Sequence, residues 1–354
     1  MANKIFRVNN TNKNTFKNNG NIIFNYNATY SSNTITGLIN PRDMEALSNR
    51  LFICEAGATV KSGNILKGIL IKNFQNPTID IGYLNTYGSD SLNASNAPTG
   101  LALDFNINTN EYFFYITTLN TVAKWQITDT TTWACTKIAS FNTGNGDSFH
   151  DVTINKDKGL LYVSGYNTLN MYYLDSNTLL QKYTLNNLGY TYSLISTFFI
   201  IDDIFYFFIT DWGNYQIKIY KMNNDGTIFS TPFTTLNLPY GYFHPYGIAL
   251  VMENTKIKLY VSTNGSDYNQ TGVIFKYELT HNIDKTSLEY IEDTEYRDIT
   301  DSRLNAFTIN NINKLSEIPY NPSGIVQDID RNRVLIAGRT TSGQTAGKIT
   351  FLKI

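Results

Sequence analysis

Residues 209–227 read ITDWGNYQIKIYKMNNDGT, and this stretch combines one alternating strand with a turn at each end. Between Gln216 and Lys221 polar and apolar side chains alternate, which is typical of a β-strand with one buried face. The following NNDG is rich in residues that tolerate a positive φ, as a tight turn requires. Ahead of it, IFYFFI at 204–209 is an apolar run of strand length, well short of the about 20 residues of a membrane-spanning helix. The stretch predicts a β-meander.

The same order of turn, two apolar strands, turn and alternating strand recurs along the whole chain. Its first strand begins in six segments: NPRDMEAL from Asn40, APTGLALD from Ala97, SFHDVTIN from Ser148, LISTFFII from Leu194, HPYGIALV from His244 and NPSGIVQD from Asn321. Regularly spaced strand groups of this kind close into a ring. The sequence therefore predicts an all-β, six-bladed β-propeller with four-stranded blades, in one domain over 1–354.

The blade boundaries follow from the repeats. We expect blades near 37–95, 96–146, 147–188, 189–238, 239–319 and 320–354. The last copy ends before a fourth strand, so the N-terminal segment 1–36 is predicted to close the ring, with NIIFNYN at 21–27 as the outer strand of blade six. Residues 285–319, rich in Asp, Glu and Arg, are predicted to be an insertion in blade five.

Two copies resemble a known repeat family. HPYGIAL, KIKLYVSTNG and GVIFKYEL in blade five, and FITDWGNYQIKIYKMNNDGT in blade four, are similar to NHL repeats, whose pattern is Pro-x-Gly-Ile-Ala, then Val-Tyr-Val-Ala-Asp-x-Gly-Asn, then Arg-Ile. No copy has the Arg of the last step, and blade four lacks the Pro-x-Gly. The resemblance implies a six-bladed propeller.

Composition limits the classes of function. A net charge of −1 with 16% charged residues argues against binding a phosphate backbone, so we expect no nucleic-acid partner. The 25 Tyr and 21 Phe favour strands. Cys54 and Cys135 are predicted to be buried free thiols. The N-terminus lacks the apolar segment of a secretory signal, so we expect cytoplasmic synthesis and no membrane insertion.

The aligned copies indicate which side chains surround the central channel, because inner strands begin nearest the axis. The candidate binding residues at this channel mouth are Arg42, Asp43, Glu55, His150, Asp151, Asp211, Trp212, His244 and Tyr246. His150 and His244 with a neighbouring carboxylate could hold a metal; in the alternative, each histidine is a polar channel lining that hydrogen-bonds its neighbours. No dedicated metal spacing is present, so no cofactor is predicted, with calcium or a transition metal left open.

Two classes of function remain. No nucleophile–histidine arrangement stands out, which favours a non-enzymatic scaffold whose loops bind protein or glycan. Trp212 could stack on a sugar or on a partner's side chain. The alternative is a metal-dependent propeller hydrolase or lyase with its site in the channel, where His150 or His244 could act. Because one fold hosts many functions, the propeller itself does not decide between them.

The chain combines strand-rich sequence, low charge and no secretory signal with an Asn, Thr and Tyr-rich surface. This combination suits a phage or viral virion component of the tail or capsid; a cytoplasmic scaffold of a low-GC bacterium is the alternative. In the first case the charged insertion would dock onto a neighbouring subunit, and in the second it is a solvated loop. Its docking residues would be Glu292, Glu295, Arg297, Asp298 and Arg303.

Overall fold

The computed structural model describes residues 5–6, 16–17, 34–47, 50–55, 65–73, 80–86, 98–106, 109–118, 120–142, 148–175, 177–188, 197–201, 204–238, 243–253, 256–265, 273–281, 288–292, 320–328, 333–339 and 346–353. Within these ranges nearly every element is a strand, and the exception is one short 3-10 helix at Lys156–Lys158. A two-stranded ladder, β1 (Ile5–Phe6) with β2 (Phe16–Lys17), precedes the blades.

Six four-stranded antiparallel blades follow one another around a ring, which confirms the predicted fold. From the inner to the outer edge, blade one is β4 (Pro41–Leu47), β5 (Arg50–Glu55), β6 (Ile65–Asn73) and β7 (Asp80–Thr86). Blade two is β8 (Gly100–Asn106), β9 (Glu111–Thr117), β10 (Thr121–Asp129) and β11 (Ala134–Asn142). Blade three is β12 (Asp151–Asn155), β13 (Leu160–Ser164), β14 (Thr168–Tyr173) and β15 (Gln181–Asn186).

The second half of the ring repeats this plan. Blade four is β16 (Thr197–Ile201), β17 (Ile204–Asp211), β18 (Gln216–Lys221) and β19 (Thr234–Asn237). Blade five is β20 (Phe243–Glu253), β21 (Lys256–Gly265), β22 (Val273–His281) and β23 (Leu288–Glu292). Blade six is β24 (Tyr320–Asp328), β25 (Arg333–Arg339), β26 (Ala346–Lys353) and, from the start of the chain, β3 (Thr34–Ile39).

The ring is closed by β3, which pairs antiparallel with β26 as the outer strand of blade six. An N-terminal closing strand is therefore confirmed, but the assignment of this role to NIIFNYN was wrong. Ile35 and Leu38 bury their side chains on the blade face, and the positive φ of Gly37 between them fits the irregular register of this ladder. Residues 21–27 lie outside the described residues.

The predicted insertion in blade five also needs a correction. Its residues 288–292 form β23, which pairs with β22 and completes the blade, so they belong to the repeat. The sequence LEYIE carries two glutamates in five residues, and these had been taken for part of a charged loop. Glu292 ends this strand. The other four proposed docking residues, Glu295, Arg297, Asp298 and Arg303, lie outside the described residues.

The hydrophobic core lies between the blades. Each of five clusters of buried side chains joins two consecutive blades, and Leu259 of blade five, for example, packs in one cluster with Phe208 of blade four. Trp125 stacks on Phe114 with ring centroids 5.9 Å apart and belongs to the core between blades one and two. One blade alone would leave these faces in water, so the fold depends on the closed ring.

The stretch 209–227 forms the two turns and the strand that its sequence predicts. In the second turn Asn223 N–H donates to Thr227 O at 2.7 Å and Gly226 has a φ of +85°. The turn docks on blade three, where Tyr162 Oη donates to Gly226 O at 2.8 Å. The polar turn therefore also bonds neighbouring blades together.

Both cysteines are free and buried, as predicted. Burial raises the pKa of Cys135 to about 12, and burial together with nearby carboxylates raises the pKa of Cys54 well above its ordinary value. Both thiols are therefore protonated at neutral pH. In the part of the chain that the structure describes, no helix is long and apolar enough to cross a membrane.

Candidate functional site

The channel mouth is the end of the central channel at which the inner strands begin. Here side chains and backbone groups of consecutive blades hydrogen-bond across four seams between blades. The bonds are Ser262 Oγ to Ser323 O at 2.7 Å, Ser323 Oγ to Pro41 O at 2.8 Å, Leu101 N to Asp43 Oδ2 at 2.7 Å and Thr99 Oγ1 to Phe149 O at 3.1 Å. Because these bonds tie blades five, six, one, two and three in sequence, the mouth is a rigid frame.

Two large side chains meet at the mouth, Arg42 from blade one and Tyr246 from blade five, and Arg42 also lies near enough to His150 of blade three to affect the pKa of its imidazole. Arg42 Nη1 donates to Tyr246 Oη at 2.7 Å, and its guanidinium carbon lies 5.9 Å from the centroid of the Tyr246 ring. Blades one and five are not neighbours, so this bond must cross near the axis. The aligned positions in blades two and six carry the small side chains Thr99 and Ser323, which leave room for the larger ones.

Burial and the nearby Arg42 both affect the charge of His150. Burial, and after it the positive charge of Arg42, lower the pKa of His150 to about 4. The imidazole is therefore neutral at physiological pH and can accept as well as donate a hydrogen bond. Arg42 itself is half-buried, whereas His150 and Tyr246 are buried. The mouth thus combines one fixed positive charge with two neutral polar groups.

One residue further along the inner strands, a pair of buried carboxyls also links alternate blades. Asp43 of blade one and Asp151 of blade three hydrogen-bond each other. Burial raises the pKa of Asp43 to about 7 and that of Asp151 well above its ordinary value. Asp43 accepts backbone N–H bonds from Leu101 at 2.7 Å and Met44 at 2.8 Å, which stabilise its charged form. Asp151 is therefore the partner that keeps the proton.

Glu55 and Asp211 have structural roles in the described part of the chain. Glu55 Oε1 accepts the backbone N–H of Ile39 at 2.8 Å, next to the strand that closes the ring, and burial raises its pKa to about 7. Asp211 is fully buried and forms an ion pair with Lys218 at 2.6 Å. It also accepts bonds from Asn214 N at 3.2 Å and Nδ2 at 2.8 Å, so it fixes the DWGN turn.

Trp212 and His244 form a separate aromatic group at the seam between blades four and five. Their rings stack with centroids 3.7 Å apart and an interplanar angle of 15°, and Tyr215 lies 4.6 Å from His244 on the same group. His244 Nδ1 lies 2.8 Å from Trp212 O. His244 lies two residues before Tyr246 on β20, so this aromatic group borders the channel mouth.

Of the nine candidates, the structure joins Arg42 to Tyr246 and Asp43 to Asp151, and it places His150 within electrostatic range of Arg42. The two histidines, proposed together as metal ligands, lie in different surroundings, one beside Arg42 and one under Trp212. Among the described residues no three His, Cys, Asp or Glu side chains are grouped to hold a metal. Glu45, which is not among the nine candidates, is also buried, and its charge helps to raise the pKa of Asp151.

The raised carboxyl pKa values predict how stability depends on pH. Above the ordinary Asp pKa of 3.8 the unfolded chain releases carboxyl protons that the folded protein still binds. The bound protons stabilise the folded protein in full below that pH, and this stabilisation is lost as the pH rises through about 7. We expect the melting temperature to fall between about pH 4 and 7. Asp151→Asn should make this decline shallower, because the amide replaces a protonated carboxyl and can still donate to Asp43.

Asp129→Asn is the matched control for that experiment. The Asp129 carboxyl is exposed, and bonds from Thr132 and Thr131 lower its pKa, so it does not titrate in this range. Melting curves recorded across the range should show the wild-type slope for Asp129→Asn. An equally steep decline in Asp151→Asn would contradict the shared-proton pair.

No family model and no curated protein matches the chain. Among solved structures, the PQQ domain of pyranose dehydrogenase from Coprinopsis cinerea is 10% identical, with 90% of this chain and 94% of that one covered and a TM-score of 0.50. A protein of unknown function from Bacteroides thetaiotaomicron is 11% identical, covering 91% and 72%, with a TM-score of 0.46. An exo-β-1,3-galactanase from Phanerochaete chrysosporium is 10% identical, covering 73% and 70%, with a TM-score of 0.44. At these identities the likeness is one of fold.

These comparisons correct one prediction and leave another open. The expectation that the protein is not an enzyme is contradicted, because the similar structures include the galactanase and a GH43 glycoside hydrolase. One fold hosts many functions, so the missing sequence motif was no ground for excluding catalysis. The likeness to NHL repeats stays a likeness of sequence pattern, since no family model matches.

Proposed function

We propose that this protein binds a carbohydrate at the channel mouth. The observation that carries the proposal is the hydrogen bond between Arg42 and Tyr246, which joins two alternate blades, with His150 of a third blade near enough for Arg42 to affect its pKa. A saccharide presents hydroxyl groups that both donate and accept hydrogen bonds. The mouth offers a guanidinium that donates, and a phenol and a neutral imidazole that can do both. A small number of precisely placed polar groups is what orients a ligand in a binding site.

The aromatic group beside the mouth supports the same ligand class. Trp212, Tyr215 and His244 present apolar ring surface next to the polar groups, and the C–H faces of sugar rings pack well on aromatic rings. The domain of similar fold comes from an enzyme named pyranose dehydrogenase, and a pyranose is a sugar. That likeness concerns the fold alone. We use it only to choose saccharides as the first ligands to screen.

The binding proposal is tested by a glycan array followed by calorimetry on the best saccharide. Tyr246→Phe removes the hydroxyl that fixes Arg42 and should weaken binding about tenfold, since bonds to charged groups contribute about 1.5–3 kcal/mol. Tyr183→Phe is the matched control, because this exposed tyrosine lies on the outer strand of blade three. No binding on the array, or equal loss in both variants, would refute the proposal.

The assignment to a virion stays a prediction. Partners in an assembly and the place of the protein in the cell likewise remain proposals that rest on composition. Co-purification with particle subunits from infected cells would support the virion assignment, and a protein found only outside particles would end it.

A further inference from the structure

We propose that the N-terminal ladder, β1 with β2, is a strap that covers the central channel from the side of blade four and restricts access to the channel mouth. This inference rests on the carbohydrate-binding function proposed above and adds a means of regulating that same site. It follows from the place of β1 in the ring, where β1 contacts β16, a strand that lines the channel.

The strand that β1 contacts has one open side. β16 (Thr197–Ile201) is the inner strand of blade four and pairs along one edge with β17. Its two faces look toward the neighbouring blades three and five, and it contacts β20 of blade five. The strand order of blade four ends at β16, so its remaining edge faces the axis of the ring. A segment that lies against β16 without belonging to blade four therefore lies in the channel or across one of its ends.

The inner strands are least tightly joined next to this blade. Among the described strands, the contact between β12 of blade three and β16 is the weakest contact between inner strands of consecutive blades. The hydrogen bonds of the mouth described above link blades five, six, one, two and three. The inner edge of blade four is therefore held less closely on the side of blade three, and β1 lies against this inner strand.

The ladder is tethered to the ring by the closing strand. β3 (Thr34–Ile39) pairs with β26, so the ladder can move away from β16 while the ring stays closed. Residues 18–33 connect β2 to β3, and at about 3.3 Å per residue they reach at most about 50 Å. A tethered segment competes with a ligand at a high effective concentration. The apparent affinity for the ligand then falls with the fraction of molecules in which the mouth is open.

The first experiment needs no saccharide. Trp212 borders the mouth and is partly exposed, whereas Trp125 and Trp133 are buried, so acrylamide quenching of tryptophan fluorescence reports mainly on Trp212. Deletion of residues 2–17 removes the ladder and keeps β3. We expect the deletion to raise the quenching constant about twofold or more, because the mouth is then open in every molecule. Replacement of the same residues by a Gly-Ser segment of equal length should have the same effect.

Cross-linking tests where the ladder lies in the full-length protein. A photoreactive phenylalanine analogue in place of Phe6 should cross-link to the peptide that contains β16. The same analogue in place of Phe229, which is exposed on blade four, is the matched control and should not cross-link to that peptide. A saturating amount of the best saccharide from the array should lower the yield from position 6, since ligand and strap compete for the channel.

The saccharide titration separates the two proposals. The deletion variant should bind the best saccharide about threefold or more tightly than the wild type. Equal affinity, unchanged quenching or no cross-link from position 6 to β16 would overturn the strap and leave carbohydrate binding intact. If no saccharide binds either protein, carbohydrate binding fails, and quenching and cross-linking still decide whether the ladder covers the mouth. Should the deletion variant not fold, the cross-link in the full-length protein decides.

Discussion

The Gly247→Ala variant should be less stable than the wild type by about 3 kcal/mol or more. A Cβ atom at this position would lie 2.1 Å from the backbone oxygen of Ser323 and 2.9 Å from Ser262 Oγ. Ser323 O accepts the hydrogen bond from Ser262 Oγ that joins blades five and six, so it cannot move away from the added Cβ without breaking that bond. Thermal or denaturant unfolding measures the effect.

Gly165→Ala is the matched control for Gly247→Ala. There the nearest atom to the added Cβ is Thr168 Oγ1 at 2.6 Å, and the next is 3.7 Å away. Because a hydroxyl can rotate aside and a backbone oxygen cannot, we expect a loss of less than about 1 kcal/mol. Equal stability of the two variants would show that blades five and six do not approach as closely as described.

Removal of the closing strand should have the second large effect. Deleting residues 2–39 takes away β3, leaves the edge of β26 unpaired and exposes the surface that Ile35 and Leu38 cover. Burial of such side chains contributes about 1.5–3 kcal/mol each, so we expect a loss of about 4 kcal/mol or more. An open strand edge also favours self-association.

Deletion of residues 2–33 is the control for this truncation, since it keeps β3. The difference in melting temperature and in oligomeric state between the two truncations isolates the closing strand. If both truncations melted at the same temperature and stayed monomeric, β3 would not close the ring.

The repeat was the part of the fold that sequence could predict. APTG, HPYG and NPSG mark the starts of β8, β20 and β24, because an inner strand needs a small residue where the next blade approaches its backbone. The closing strand was misplaced for a physical reason. TITGLI has only two buried apolar side chains and a glycine, so its pattern is weaker than that of NIIFNYN, and only its pairing with β26 identifies it.

The channel mouth was predictable in position but not in its contacts. Aligned copies correctly indicated that Arg42, His150 and Tyr246 begin inner strands, since the repeat fixes that position. Which side chains then touch depends on distances across the ring, and no local pattern encodes the Asp43–Asp151 pair. The alignment did hold one clue: this position carries Asp in blades one and three and Gly in blades two, five and six.

Asp211 and His244 show why residue type alone misleads about a site. Asp211 ends β17 and His244 lies at the start of β20, so both are at the end of the blades that faces the mouth, and both are polar. The Asp211 carboxylate is already bonded to Asn214 and to Lys218, and the His244 ring is stacked on Trp212. A polar residue in a tight turn often bonds its own backbone, so a position at the mouth does not by itself make a ligand contact.

The crystal structure of the protein with its best-binding saccharide is the most direct test that the channel mouth is the binding site. The account predicts sugar density on the axis, with a ligand oxygen within hydrogen-bonding distance of Arg42 and of Tyr246 Oη. Density at the opposite end of the channel, beside the Asn223–Thr227 turn, or on the outer strands would contradict it.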